Sequence, residues 1–198
     1  MQLQRQAQME RKTGETEIQL SLSLDGSGTY QIASGVGFLD HMLCLLARHG
    51  ALDLQLSARG DLHIDDHHTV EDIGITLGLA LRQALGDKAG IQRYGNALVP
   101  MDEALVLVAL DISGRGHLEL DLTLPAAKVG TFDTELVEEF LRALAINSGI
   151  TLHARMLNGR NTHHIIEAVF KGLGRALRQA VAADERLPGV PSTKGVLV

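Results

Sequence analysis

Two short segments carry the same arrangement of side chains able to hold a metal ion. Residues 65–72 read DDHHTVED and residues 161–168 read NTHHIIEA, so each contains His-His-x-x-Glu. The donors are His67, His68 and Glu71 in the first copy, and His163, His164 and Glu167 in the second. Residues three and four apart share a helix face, which sets each glutamate one turn from its own two histidines. Adjacent histidines on a helix point about 100° apart, so a pair serves two ions on either side of the helix better than one. Imidazoles and carboxylates without a thiolate suit Mn, Fe, Zn, Ni or Co rather than Cu(I) or an iron–sulfur cluster. One His pair at a helix start is an ordinary surface or capping feature. Two copies at matching places point instead to four imidazoles and two carboxylates gathered around two metal ions.

The chain around these segments also repeats. Both copies lead into apolar helical stretches that end alike, ALRQAL from Ala80 and ALRQAV from Ala176. Upstream, Thr16, Ile18, Leu20, Leu22 and Leu24 alternate as a half-buried strand does. A turn at Asp25-Gly26-Ser27-Gly28 returns the chain as a strand over Thr29–Ala33. Leu39, Met42, Leu43 and Leu46 recur at helical spacing up to Gly50, placed as a C-cap. Leu52, Leu54 and Leu56 form the next strand, and the first His-His-x-x-Glu helix runs to about Leu85.

From Gly90 the order restarts. Strands are predicted over Ala104–Ile112, His117–Leu124 and Ile150–Met156. A helix marked by Leu136, Val137, Phe140, Leu141 and Leu144 ends at Gly149, and the second His-His-x-x-Glu helix reaches Ala182. The fold class is therefore α/β, of the α+β two-layer kind, with a β-β-α-β-α unit used twice and helices on one face of each sheet. The half-domains span about 10–90 and 91–185 of a single domain over 1–198, with a mobile polar start and a tail from 186 to 198. Hydrophobic register sets Met42-Leu43-x-x-Leu46 on Phe140-Leu141-x-x-Leu144 and puts His41 opposite Glu139, making His41 a further candidate ligand.

Composition bounds the partners. The chain has 198 residues and a net charge of -6, which argues against general nucleic-acid binding while allowing a local cationic cluster. The opening MQLQRQAQMERKTGE has no apolar core of a signal peptide, and no apolar run reaches the roughly 20 residues of a membrane span, so a cytoplasmic location is expected. The single Cys44 lies in an apolar helical stretch and is expected to be a small buried hydrophobe. Pro191-Ser192-Thr193-Lys194-Gly195 offers hydroxyls, N–H groups and an ammonium suited to a phosphate. Arg93 and Arg115 sit at glycine-marked turns, and Lys171 is placed for an i,i+4 ion pair with Glu167. His49 complements a helix C-terminus, and His63, His117 and His153 receive no role.

Taken together, RKTGET, GFLDHML, GDLHIDDHHTVED, MDEAL, DISGR, VGTFDTELVE, TLH, NTHHIIEAVFK and PSTKGVL closely resemble the imidazoleglycerol-phosphate dehydratase family, in family order from about residue 11 onward. The resemblance implies two half-domains of the ribosomal protein S5 domain 2-like kind, each with a four-stranded sheet. It implies a hydro-lyase of histidine biosynthesis that removes water from D-erythro-imidazole glycerol phosphate to give imidazole acetol phosphate. It also implies two Mn2+ per active site and a homo-oligomer of 24 subunits with sites between subunits. The ligands carry over to His41, His67, His68, Glu71, His163, His164 and Glu167, with Glu139 standing where the family usually has a histidine. Substrate residues carry over to Glu15, Arg93, Arg115, Lys171, Ser192, Thr193 and Lys194, with Glu15 and Glu167 as candidates for proton transfer. No appended domain is expected, which fits a stand-alone dehydratase. Two other readings stay open: a dinuclear metallohydrolase acting on a phosphate ester, and a non-enzymatic metal shell in a helix bundle.

Overall fold

A computed structural model describes residues 5–197. Met1–Gln4 and Val198, the last residue of the apolar terminal segment, lie outside the described residues. The first half runs β1 (Gln6–Lys12), β2 (Thr16–Ser23), β3 (Tyr30–Ala33), α1 (Gly37–Gly50), β4 (Asp53–Gly60) and α2 (His67–Leu85). The second half runs β5 (Tyr94–Met101), β6 (Ala104–Asp111) and β7 (His117–Asp121). A short hairpin of β8 (Lys128–Val129) and β9 (Phe132–Asp133) follows, then α3 (Leu136–Ser148), β10 (Thr151–Asn158) and α4 (Thr162–Ala180).

The two sheets have the same order, β1-β2-β4-β3 and β5-β6-β10-β7. In each, the first three neighbours pair antiparallel and the last pair is parallel. This repetition is the duplication expected from the motifs, and the sheets exclude a helix bundle. Each half nonetheless opens with a strand that hydrophobic alternation did not reveal. Part of the start expected to be mobile is β1, a seven-residue strand paired along its length with β2. Its inward residues are few, with Ala7 buried and Met9 half-buried. β5 turns the small residues Gly95, Ala97 and Val99 inward. A Cβ on Gly95 would stand 1.9 Å from the Ala176 carbonyl oxygen, so the smallness there is what lets α4 lie on β5.

Helices cover one face of each sheet, and the halves join helix to helix: α1 packs on α4 and α2 on α3. One continuous core results, including Ile18, Leu22, Leu43, Ile73, Phe140 and Phe170. Small residues set the approach. A Cβ on Gly78 of α2 would lie 2.8 Å from the Leu144 carbonyl oxygen of α3, and one on Gly174 of α4 would lie 2.6 Å from the Leu46 carbonyl oxygen of α1. Gly50, expected as a C-cap, is instead the last helical residue. Ala51 takes the left-handed conformation at φ 52°, and Gly50 faces the Gly174 carbonyl oxygen. Gly149 caps α3 as expected, at φ 71°. Cys44 is half-buried on α1, and burial pushes its thiol pKa up.

Candidate metal centre and active site

The motif histidines stand at the N-termini of α2 and α4, held there by caps in the preceding loops. Asn161 Oδ1 accepts the backbone N–H of His163 at 3.0 Å and of His164 at 3.4 Å. Asp65 Oδ1 accepts that of His67 at 2.8 Å. Such caps satisfy N–H groups that a helix start leaves unpaired. Within each pair the rings turn apart, with interplanar angles of 86° for His67 and His68 and 78° for His163 and His164. In the second pair the two members meet different groups, His163 lying against Glu167 and Phe38 and His164 against Glu103.

Three donors meet across the α1–α4 contact. His41, His163 and Glu167 offer ligand atoms all within 4.8 Å of one another. His163 Nε2 lies 3.1 Å and His41 Nε2 3.8 Å from Glu167 Oε2. Lys171 Nζ holds the other carboxylate oxygen at 2.5 Å, the i,i+4 pair anticipated for it. Burial pushes the Glu167 carboxyl up, but Lys171, His41 and His163 outweigh it and hold the group below the usual glutamate value. An ionised carboxylate beside two imidazoles is a donor set suited to a divalent cation.

The expected shell of four imidazoles and two carboxylates does not form within one chain. The set just described takes His163 and Glu167 from one motif, without His164, and adds His41. His67, His68 and Glu71 lie at the start of α2, which packs on α3 rather than on α4. Glu139, on the first turn of α3, thus shares that second helix pair, as His41 shares the first. The β8–β9 hairpin lies between the two places. Phe132 packs on Phe38 with ring centroids 5.3 Å apart, and Phe38 stands 5.2 Å from the His163 ring. Burial, with Asp133 and Asp65 nearby, pushes Asp66 up at the start of α2.

The outer histidines have carboxylate partners that sequence reasoning missed. His68 Nδ1 lies 2.9 Å from Asp61 Oδ2, and His164 Nδ1 lies 2.8 Å from Glu103 Oε2. The ring of His164 and the backbone N–H of Asn161 hold the Glu103 carboxyl down at about 2. Glu103 in turn pushes the His164 imidazole up, as Asp61 does that of His68. Asp61 stands inside the GDLHIDDHHTVED stretch, where its distance of seven residues from His68 was a usable signal. Glu103 carried no such signal, because the β5–β6 turn brings it to His164 from 61 residues away. Glu15 lies 3.8 Å from His68 Nε2 with its side chain 55% exposed.

The remaining predicted residues gather elsewhere. Arg93, Arg115, Ser192, Thr193 and Lys194 line a groove of about 910 Å3. Arg93, at φ 70°, is held in place: Nε and an Nη meet the Asp111 carboxylate at 2.7 and 3.0 Å, and the other Nη donates to the Pro191 carbonyl at 2.8 Å. The tail that forms one wall is anchored at its end, where Lys88 Nζ donates to the Leu197 carbonyl at 2.9 Å. Arg93 N–H donates to the Ala180 carbonyl at the far end of α4. Thirteen residues of helix thus separate the groove from Glu167, about 20 Å at 1.5 Å per residue.

The duplicated two-layer fold and this donor set define an α+β enzyme with a candidate histidine–carboxylate metal centre. A family model described as imidazoleglycerol-phosphate dehydratase matches residues 34–177. The chain is 75% identical to the imidazoleglycerol-phosphate dehydratase of Desulforamulus reducens, over 98% of this chain and 100% of that one. It is 63% identical to that of Moorella thermoacetica over the same shares. The fold matches the crystal structure of the enzyme from Staphylococcus aureus with a TM-score of 0.82 at 47% identity, covering 90% of this chain and 99% of that one. The structure from Pyrococcus furiosus, in complex with (S)-C348, matches with a TM-score of 0.83 at 43% identity, over 96% and 100%. The chain belongs to the imidazoleglycerol-phosphate dehydratase family, hydro-lyases of histidine biosynthesis.

Proposed function

We propose that the chain removes water from D-erythro-imidazole glycerol phosphate, giving imidazole acetol phosphate, as an Mn2+-dependent enzyme with two ions per active site. The observation that carries the reading is the cluster of His41, His163 and Glu167 in a chain of this family. The ions would be held by His41, His67, His68, Glu71, Glu139, His163, His164 and Glu167, neutral imidazoles and carboxylates of a kind that fits Mn2+. Bound Mn2+ would supply Lewis acidity toward the imidazole ring and the hydroxyls, where the reaction has to weaken a C–H bond that is not acidic.

The chain's own groups do the rest. Glu15 is exposed beside His68 and has no hydrogen-bond partner for its carboxylate among the described residues, so it is free to take or return a substrate proton. Glu167, kept ionised by Lys171, is the other candidate. Arg93, Arg115, Ser192, Thr193 and Lys194 would grip the phosphate and orient the reacting carbons, using remote binding energy for positioning. Lys171 would add a cation at the metal end. In this reading the chain is one domain of two half-domains with a substrate-binding tail from 186 to 198.

The groove and the metal cluster stand about 20 Å apart along α4. One ring, three carbons and a phosphate do not span that distance, so the groove of one subunit would complete the metal site of another. That supports active sites between subunits of a homo-oligomer, a 24-mer by family resemblance, in the cytoplasm. No helix of the described residues is long and apolar enough to cross a membrane. The test is turnover of imidazole glycerol phosphate after chelation and again after Mn2+ is restored. Ketone formation only with metal, without phosphate release, supports the dehydratase. Phosphate release would instead support the metallohydrolase, and no turnover by the assembled, loaded protein would overturn both.

A further inference from the structure

We propose that Asp61 and Glu103 are the positioning residues of His68 and His164, and that Asp61, by taking over His68, leaves Glu15 free to meet substrate. The last clause rests on the function proposed above; the positioning does not.

The duplication makes the comparison internal. Glu15 immediately precedes β2, and Glu103 immediately precedes β6, the equivalent strand of the other half. The two glutamates occupy equivalent hairpins but do different things. Glu103 is fully engaged: one carboxylate oxygen accepts from His164 Nδ1 at 2.8 Å, and the other accepts the backbone N–H of Asn161 at 2.7 Å and of Arg160 at 3.1 Å. It ties the β5–β6 turn to the start of α4 and fixes the ring of His164. Glu15 reaches no equivalent N–H among the described residues. The nitrogen of His68 nearest to it is Nε2 at 3.8 Å, the ring nitrogen opposite the one that Glu103 takes on His164.

The Nδ1 of His68 is already occupied by Asp61, seven residues upstream at the end of β4. The residue seven before His164 is Leu157, which is exposed and has no side-chain acceptor. Each outer histidine therefore has one carboxylate on Nδ1, supplied from the hairpin in one half and from the loop before the helix in the other. A carboxylate on Nδ1 fixes the tautomer that leaves the Nε2 lone pair for a metal, orients the ring and raises its basicity. The half that recruits Asp61 no longer needs its hairpin glutamate for this task.

The test measures Mn2+ binding to the chelated, full-length protein by competition with a fluorescent chelator, in the absence of substrate. Asp61→Asn and Glu103→Gln are expected to weaken Mn2+ binding about 10- to 100-fold, with circular dichroism and assembly as in the unsubstituted protein. Glutamine cannot replace Glu103 fully, because only one of its two terminal atoms accepts. Glu15→Gln is expected to bind Mn2+ unchanged while kcat falls. Unaltered Mn2+ affinity in Asp61→Asn and Glu103→Gln would overturn the positioning. Mn2+ loss in Glu15→Gln equal to that in Asp61→Asn would overturn the division of labour. Weakened Mn2+ binding in the two variants, in a protein that does not turn over imidazole glycerol phosphate, would uphold the positioning and overturn the role of Glu15. Should Asp61→Asn fail to assemble, Asp61→Glu, with the longer carboxylate, is the second variant, and recovered Mn2+ affinity there supports the proposal.

Discussion

His41 on α1 and Glu167 on α4 lie 3.8 Å apart, so the three-donor cluster closes only where the two halves of the chain pack against each other. Metal retention should therefore depend on both helices. His41→Ala, His163→Ala and Glu167→Gln are each expected to lower the metal retained after desalting, measured by elemental analysis, and to cut turnover by two orders of magnitude or more. Full metal content in all three would mean that the ion binds elsewhere.

The same contact depends on a residue with no side chain. A Cβ on Gly174 would stand 2.6 Å from the Leu46 carbonyl oxygen and 2.9 Å from the Gly50 nitrogen. Gly174→Leu is expected to force α1 away from α4, costing about 1–3 kcal/mol in denaturant unfolding, and to weaken metal binding with it. Gly37→Ala, where a Cβ meets nothing within 4 Å, is the matching control and should leave stability nearly unchanged.

Glu15→Gln removes a base without removing a ligand. It is expected to lower kcat by roughly 100-fold or more while metal content and assembly stay as they are. Full activity in that variant would take Glu15 out of the chemistry.

Lys194→Ala should mainly raise KM, since Lys194 lines the groove and not the metal cluster. Mixed assemblies test the sharing of sites. When Lys194→Ala and Glu167→Gln chains are dissociated, reassembled together and assayed at substrate well below the raised KM, where neither alone turns over appreciably, some sites combine an intact groove from one chain with an intact α4 from the other. Recovered turnover is expected, and its absence would place both parts of the site in the same subunit.

Asp53 provides a pH prediction for the fold. Its carboxylate accepts the backbone N–H of Thr29 at 2.9 Å and of Ser27 at 2.8 Å, which holds it below the ordinary value of 3.8. A depressed carboxyl stabilises the fold fully above its unfolded value and loses that contribution as pH falls through the folded one. Asp53→Asn should therefore lower Tm at neutral pH, with the gap to the unsubstituted protein closing under strong acid. A gap independent of pH would assign the effect to packing of the turn.

Much of the fold was legible because its longer elements bury one face. Ile18, Leu20 and Leu22 announced β2, and the repeated His-His-x-x-Glu helices announced the duplication. β1 and β5 were illegible for the opposite reason: their inward residues are few or small, so no apolar alternation marks them. Gly50 shows a further limit, since a glycine needed for helix contact looks in sequence like one needed for a turn.

The sequence by itself determined which residue types are available for the chemistry, their one-turn spacing and the family. Those follow from local geometry, in which a helix puts His163 and Glu167 on one face wherever it lies. Only the tertiary structure decided which groups meet: His41 with the second motif, Glu103 with His164, and Arg93 with Asp111 at the opposite end of α4. Such contacts depend on how α1 crosses α4 and how β5 turns into β6, which is set by packing between distant segments and by no residue alone.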